Sequence, residues 1–272
     1  CRQMGIPILA PDVNKSTAGF EVTADGVRFG LTAVKNVGEA AIASILACRK
    51  DRGSLDSLFT LCEDVDLRLA NKRVFESLIK AGAFDSSLAL GKGSRTTGLR
   101  AQLFASVDRA LEHGNRIQRD RERGQAQLFD TSSDDTSSEV APWSESEQLN
   151  YEKEALGLYL SGHPIDRYRD QLAAAGAIAL NALTNNESEV LVGGIVSGYR
   201  PLKTKQGAAM AVVTLEDGAG NLEVVVFPKT YERCATVVAP DRMVLVSGKL
   251  DRDEETARLM ADNVRPIESL AE

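Results

Sequence analysis

Along the first half of the chain the apolar positions recur at helical spacing. In LTAVKNVGEAAIASILACRK, Ile42, Ile45 and Leu46 share one face. In LRLANKRVFESLIKAGAFD, Val74, Leu78 and Ile79 do the same, and Ala81-Gly82-Ala83 ends the helix. From Thr96 to Arg123, Leu99, Leu103, Val107 and Leu111 follow one another at four-residue steps, which predicts a long helix. Gln102-Leu103-Phe104 inside it belongs to the core. A further helix is expected over Ser146–Leu160, with Leu149, Leu156 and Leu160 apolar, stopped by Ser161-Gly162-His163-Pro164. Two short alternating runs flank Ala24-Asp25-Gly26, so Phe20–Leu31 reads as a β-hairpin.

From Glu189 the period changes to two. Strand-like runs cover Val190–Tyr199, Ala209–Glu216, Leu222–Phe227, Met243–Leu250 and Ala257–Val264. A short helical stretch, Lys229–Thr236, falls between the third and fourth. Asp217–Asn221 makes a tight hairpin, and Gly193, Gly194 and Gly198 allow the first strand to curl. The order β-β-β-α-β-β is that of an OB-fold barrel. The expected class is therefore α+β multidomain, a helical domain followed by a five-stranded OB-fold β-barrel.

Length and charge refine this picture. The 272 residues suit about two domains. The chain opens on Cys1 in mid-pattern, so it is expected to be a piece of a longer polypeptide. Cys1, Cys48, Cys62 and Cys234 are scattered, as in reduced cytoplasmic thiols, and no run is long enough for a membrane span. The net charge of −7 hides an asymmetry. Residues 1–124 hold 19 Lys and Arg against 15 Asp and Glu, residues 125–188 hold 3 against 11, and residues 189–272 hold 10 against 13. Only the first segment has the sign of a nucleic-acid surface. Arg116, Arg119, Arg121 and Arg123 fit either a DNA-facing stripe or a solvated helix end.

Three stretches carry candidate chemistry. Lys35-Asn36-Val37-Gly38 opens a helix, and a Gly-containing turn there offers backbone N–H groups to a phosphate oxygen. The null alternative is an ordinary connection. The Gly82 turn fits either a helix cap or a second phosphate-facing turn. Two such units resemble a tandem helix-hairpin-helix module, which binds duplex DNA through its backbone. The usual hairpin has two glycines flanking an apolar residue, and neither turn here keeps both. In the barrel, the loop between the first two strands is basic (Arg200, Lys203, Lys205) and the last loop is acidic (Asp251, Asp253, Glu254, Glu255). Tyr199 and Phe227 are the available stacking rings for a single strand, with Phe227 also suited to the core. Finally, GQAQLFD at Gly124–Asp130 places Gln125, Leu128 and Phe129 at Q-x-x-L-F spacing. Two readings fit it: anchors for a partner's pocket, or a last helical turn packed on its own domain.

Taken together, MGIPILAPDVN, RFGLTAVKNVGEAAI, NKRVFESLIKAGAFD, EKEALGLYLSGHP and MAVVTLEDGAGNLEVVVFP closely resemble the bacterial replicative DNA polymerase III alpha subunits. The resemblance implies that residues 1–30 end the fingers region. It makes residues 31–124 the tandem helix-hairpin-helix domain and residues 125–130 the sliding-clamp peptide. An acidic linker with connecting helices (131–188) and the OB domain (189–272) follow. It implies duplex and single-stranded DNA, a sliding clamp and other replisome subunits as partners, with no membrane. It also implies two-metal nucleotidyl transfer with Mg2+, on aspartates upstream of Cys1, so no catalytic residue or metal ligand is assigned here. Two rival readings treat the barrel as an anticodon-binding RNA module or as a protein-interaction scaffold.

Overall fold

The computed structural model describes residues 4–86, 96–123, 140–184, 189–252 and 257–270. They form two compact units, Cys1–Ser161 and Gly162–Glu272, each considered by itself.

The first unit opens with a small sheet. Strand β1 (Ile8–Leu9) pairs in parallel with β3 (Gly26–Arg28), which pairs antiparallel with β2 (Glu21–Thr23). The β2–β3 hairpin turns at Ala24-Asp25, as the Asp-Gly signal requires. The helices follow: α1 (Glu39–Arg52), α2 (Leu58–Asp64), α3 (Lys72–Lys80), α4 (Thr96–Glu122) and α5 (Glu145–Leu156). Their apolar faces meet in one core that includes Ile42, Ile45, Leu61, Val74, Leu78, Ile79, Val107 and Leu156. The core faces of α1, α3 and α4 are those the spacing predicts. At seven residues, α2 is too short to show a period. It is set by its cap, where the Ser57 side chain accepts from the Phe59 N–H. Two amide hydrogens of Gln118 on α4 reach the Cys62 and Val65 carbonyls, both at 2.9 Å, and close its far end. Burial pushes the Cys62 thiol up to about 12.

Helix α5 differs from expectation at its end. It stops at Leu156, with Gly157 at φ 80 and its N–H bonded to the Lys153 carbonyl. The αL residue at Gly157 terminates the helix before Ser161-Gly162-His163-Pro164 is reached. The extended residues that follow are held by Glu152, whose carboxylate accepts from the Leu160 and Ser161 N–H groups at 3.1 and 2.9 Å. Helix α5 packs into the helical core through Ala155 and Leu156.

The second unit begins with a 3-10 turn (Pro164–Tyr168) and α6 (Arg169–Ala174). His163 is buried and structural: its N–H donates to Asp166 at 2.9 Å, and its Nδ1 accepts from Ile165 at 3.4 Å. Strands β4 (Glu189–Lys203), β5 (Ala209–Glu216), β6 (Asn221–Val226), β7 (Met243–Arg252) and β8 (Ala257–Pro266) close into a barrel in the order β4-β5-β6-β8-β7. The residues up to Ile195 in β4 pair with β7 and the later ones with β5, with a bulge between Val196 and Gly198. That bulge lets one strand serve two neighbours and bend around the barrel. Strand β6 meets β8 in parallel, and α7 (Pro228–Cys234) fills the chain between β6 and β7. This is the strand and helix order predicted from the sequence.

Candidate nucleic-acid interface

The turn before α1 is shaped by an asparagine. Asn36 takes φ 66, the left-handed region that Asn tolerates better than most residues. Asn36 and Gly38 flank the buried Val37, as two glycines flank an apolar residue in the usual hairpin. The Asn36 amide nitrogen donates to the Ser77 hydroxyl on α3 at 3.3 Å. The Lys35 N–H donates to the Ala155 carbonyl on α5 at 2.8 Å, while its side chain is exposed. Gly38 is the N-cap of α1, exposed, with no side-chain hydrogen bond at the cap. Its φ of −76 is open to any residue, and an added Cβ would meet nothing within 4 Å. The fold therefore does not require glycine there. What glycine leaves is bare backbone at the positive end of a 14-residue helix. Glu39 sets a carboxylate in the same turn and reduces its pull on an anion.

Gly82 is the opposite case, and the phosphate-facing expectation for it is corrected. It is buried at φ 77. Its N–H bonds to the Ile79 carbonyl at 3.0 Å, and the Ala83 N–H to the Leu78 carbonyl at 2.9 Å. This is a Schellman cap, so the amides are consumed within the fold. A Cβ at Gly82 would collide with the Arg100 guanidinium. Arg100 is itself buried, at 5% exposure. Its Nε and Nη2 reach Asp85, the latter at 2.6 Å, and its Nη1 reaches Glu152 at 2.8 Å. Glu152 is 1% exposed. The second turn is thus a buried ionic junction joining α4, α5 and the end of α3.

The arginines of α4 are partly committed. Arg121 bonds the Asp64 carboxylate at 2.7 Å, and Arg52 bonds the same group. Burial alone would raise the Asp64 pKa, but the two guanidinium groups hold it below the usual carboxylate range. Arg119 and Arg123 are exposed.

On the barrel, strand register decides which side chains share a face. Tyr199 pairs with Val213, which lies in the barrel core, and packs against that core. Its hydroxyl meets that of Tyr231 at 2.6 Å, and that bond raises its pKa. The expectation of Tyr199 as a stacking ring is therefore corrected: its neighbours are barrel side chains. Arg200 points outward with Val212, and Leu202 with Met210. Phe227 is 47% exposed, and so is no part of the core. Lys203 and Lys205 are exposed, at the end of β4 and in the loop beyond it.

Register also brings in Arg258, which no local pattern marks. It lies opposite Glu223 across the parallel β6–β8 pair and bonds it at 2.7 Å. Arg200 approaches the same carboxylate at 3.9 Å. Asp251 is exposed at the end of β7, and Asp253, Glu254 and Glu255 lie outside the described residues.

Gln125, Leu128 and Phe129 also lie outside the described residues. The segment re-enters at Val140, and Trp143 packs against Tyr151 and Phe104 at ring distances of 4.5 and 5.6 Å. Among the described residues no three His, Cys, Asp or Glu side chains converge as a metal centre needs, so no step through a metal is assigned to them. Among them, too, no helix is long and apolar enough to cross a membrane.

Comparison with known proteins agrees with this layout. Residues 5–96 match the model of the helix-hairpin-helix motif, and residues 190–267 match that of the OB-fold nucleic acid binding domain. The chain is similar to DNA polymerase III subunit alpha of Saccharopolyspora erythraea, 36% identical over 98% of this chain and 23% of that protein. The same subunit of Thermus aquaticus is 36% identical over 100% of this chain and 22% of its own length. That of Vibrio cholerae is 35% identical over 93% and 22%. The chain thus spans somewhat less than a quarter of the length of the curated relatives it matches. With both nucleic-acid folds in one order and similarity running from end to end, the chain belongs to the DNA polymerase III alpha subunit family.

Proposed function

We propose that this chain is the DNA-holding and clamp-tethering part of a replicative DNA-directed DNA polymerase. The chemistry of that polymerase, nucleotidyl transfer with Mg2+, is placed on residues outside these 272. The observation that carries the reading is Gly38. A glycine kept where the fold has room for a side chain, at an exposed and uncapped helix start, suits close approach by a phosphate. Lys35 adds charge beside it, Asn36 shapes the turn, and Gly82 takes no part. Gly38→Ala is expected to leave thermal stability nearly unchanged. Affinity for duplex DNA should fall several-fold, and log affinity should lose about 0.9 of slope against log salt for one phosphate contact. Anisotropy titrations of the full chain at several salt concentrations measure this. Unchanged affinity and slope would remove the turn from the interface.

The barrel is assigned to single-stranded DNA. Arg200, Lys203 and Lys205 supply charge and Phe227 supplies a stacking face. Charged contacts with a flexible strand are weak and salt-dependent, so low affinity is expected. Changing the three cations to Ala should abolish binding of a labelled single strand to the barrel surface at low salt. Glu223→Gln should strengthen binding, because it frees Arg200 and Arg258 from one carboxylate. If the wild type and the triple variant bind equally, the face is a protein-docking surface instead. The outward-facing Leu202, 39% exposed, and Met210 favour that second reading. The tether is assigned to Gln125, Leu128 and Phe129, the partner being a ring clamp, and further replisome subunits complete the assembly.

A further inference from the structure

We infer that Asn36 is a positioning residue, not a phosphate ligand, and that Ser77 on α3 locks it so that the turn before α1 is formed before DNA arrives. The inference rests on the duplex-binding reading of that turn. Three observations carry it. Asn36 sits at φ 66, a conformation that β-branched residues and alanine resist. Its amide nitrogen is directed to the Ser77 hydroxyl, and Ser77 is only 5% exposed, so the anchor is fixed by the core. On the other flank the Lys35 N–H is held by the Ala155 carbonyl of α5. The turn is thus held on both sides by elements distant in sequence, with Val37 plugged into the core between them.

This arrangement assigns different work to adjacent residues. Gly38 and the first amides of α1 face the ligand. Asn36 sets the direction in which they point, and Ser77 restricts Asn36 to one orientation. A pre-formed turn spends less ordering entropy on each phosphate, which matters where single contacts are weak. Helix α5 shares in this role through Ala155, although it comes after the Q-x-x-L-F segment in the chain.

The test is a series at position 36 in the full chain, measured with a labelled DNA duplex. Asn36→Gly keeps access to the left-handed region and removes the amide. It is expected to hold affinity within about threefold of wild type, with the salt slope unchanged. Asn36→Val cannot hold that conformation, and affinity should fall at least about tenfold, with a shallower slope. Ser77→Ala should fall between them, and adding Asn36→Gly to it should cause no further loss. Thermal unfolding of each variant separates these effects from simple loss of fold. Equal losses for the Gly and Val variants would mean that the amide itself contacts DNA, which overturns the inference and leaves the duplex reading standing. Unchanged binding by the Val variant overturns it as well. Absence of duplex binding by the wild type at low salt would overturn the duplex reading, and this inference with it.

Discussion

A chain carrying Leu128→Ala and Phe129→Ala together is expected to lose binding to its ring clamp. A short peptide that orders on docking binds at roughly micromolar strength, about −8 kcal/mol. Two large apolar side chains filling a pocket each contribute about 1.5–3 kcal/mol. Removing both therefore costs two orders of magnitude or more, which takes the complex beyond calorimetric detection. Gln125→Ala removes only a rim hydrogen bond, worth about 1 kcal/mol, and should weaken binding about fivefold. The measurement is isothermal titration of the full chain into the clamp. Equal heats for the double variant and the wild type would refute the tether. The described residues of the helical unit are untouched by these changes, so DNA affinity should stay at its original value.

Arg100→Ala is expected to be the most destabilising single change in the helical unit. Its guanidinium lies between Asp85 and the almost fully buried Glu152. Removing it strands a carboxylate that has only two backbone N–H partners, and breaking a buried pair this way costs about 3–5 kcal/mol. That is a large share of the roughly 5–15 kcal/mol that stabilises a typical domain. Trp143 is the only tryptophan and lies in this unit, so its fluorescence in urea follows the unit selectively. Adding Glu152→Gln to Arg100→Met should recover part of the loss, because the amide oxygen still accepts from Leu160 and Ser161 while the buried charge is gone. A single variant as stable as the wild type would mean that water reaches the junction and solvates Glu152.

The two readings left open for Gly82 show where local pattern stops. A glycine after a helix means a left-handed cap or a ligand-facing turn equally well from sequence. The choice depends on whether the adjacent amides face solvent or protein. Arg100, 18 positions further on, occupies that space and decides for the cap. Gly38 has the same residue type and the opposite surroundings. Phe227 and Tyr199 exchange roles for a similar reason. Each follows an alternating run, but the bulge at Val196–Gly198 sets which way Tyr199 points, and the end of β6 exposes Phe227.

Periodicity by itself determined the helices α1, α3 and α4 and their buried faces, the early hairpin, and the five barrel strands with their intervening helix. Those signals are local: a face repeats every few residues, and the apolar pattern is set by which side meets the core. Cap chemistry was legible at Asp25-Gly26 and misleading at Ser161-Gly162-His163-Pro164, because Gly157 offers a left-handed stop one turn earlier. Only the tertiary structure decided that α5 supports the turn at Lys35, that Ser77 holds Asn36, and that Glu223 joins Arg200 to Arg258. Each is a pairing across 23 to 120 residues, where a side chain's partner depends on packing angle and strand register and leaves no trace in spacing along the chain.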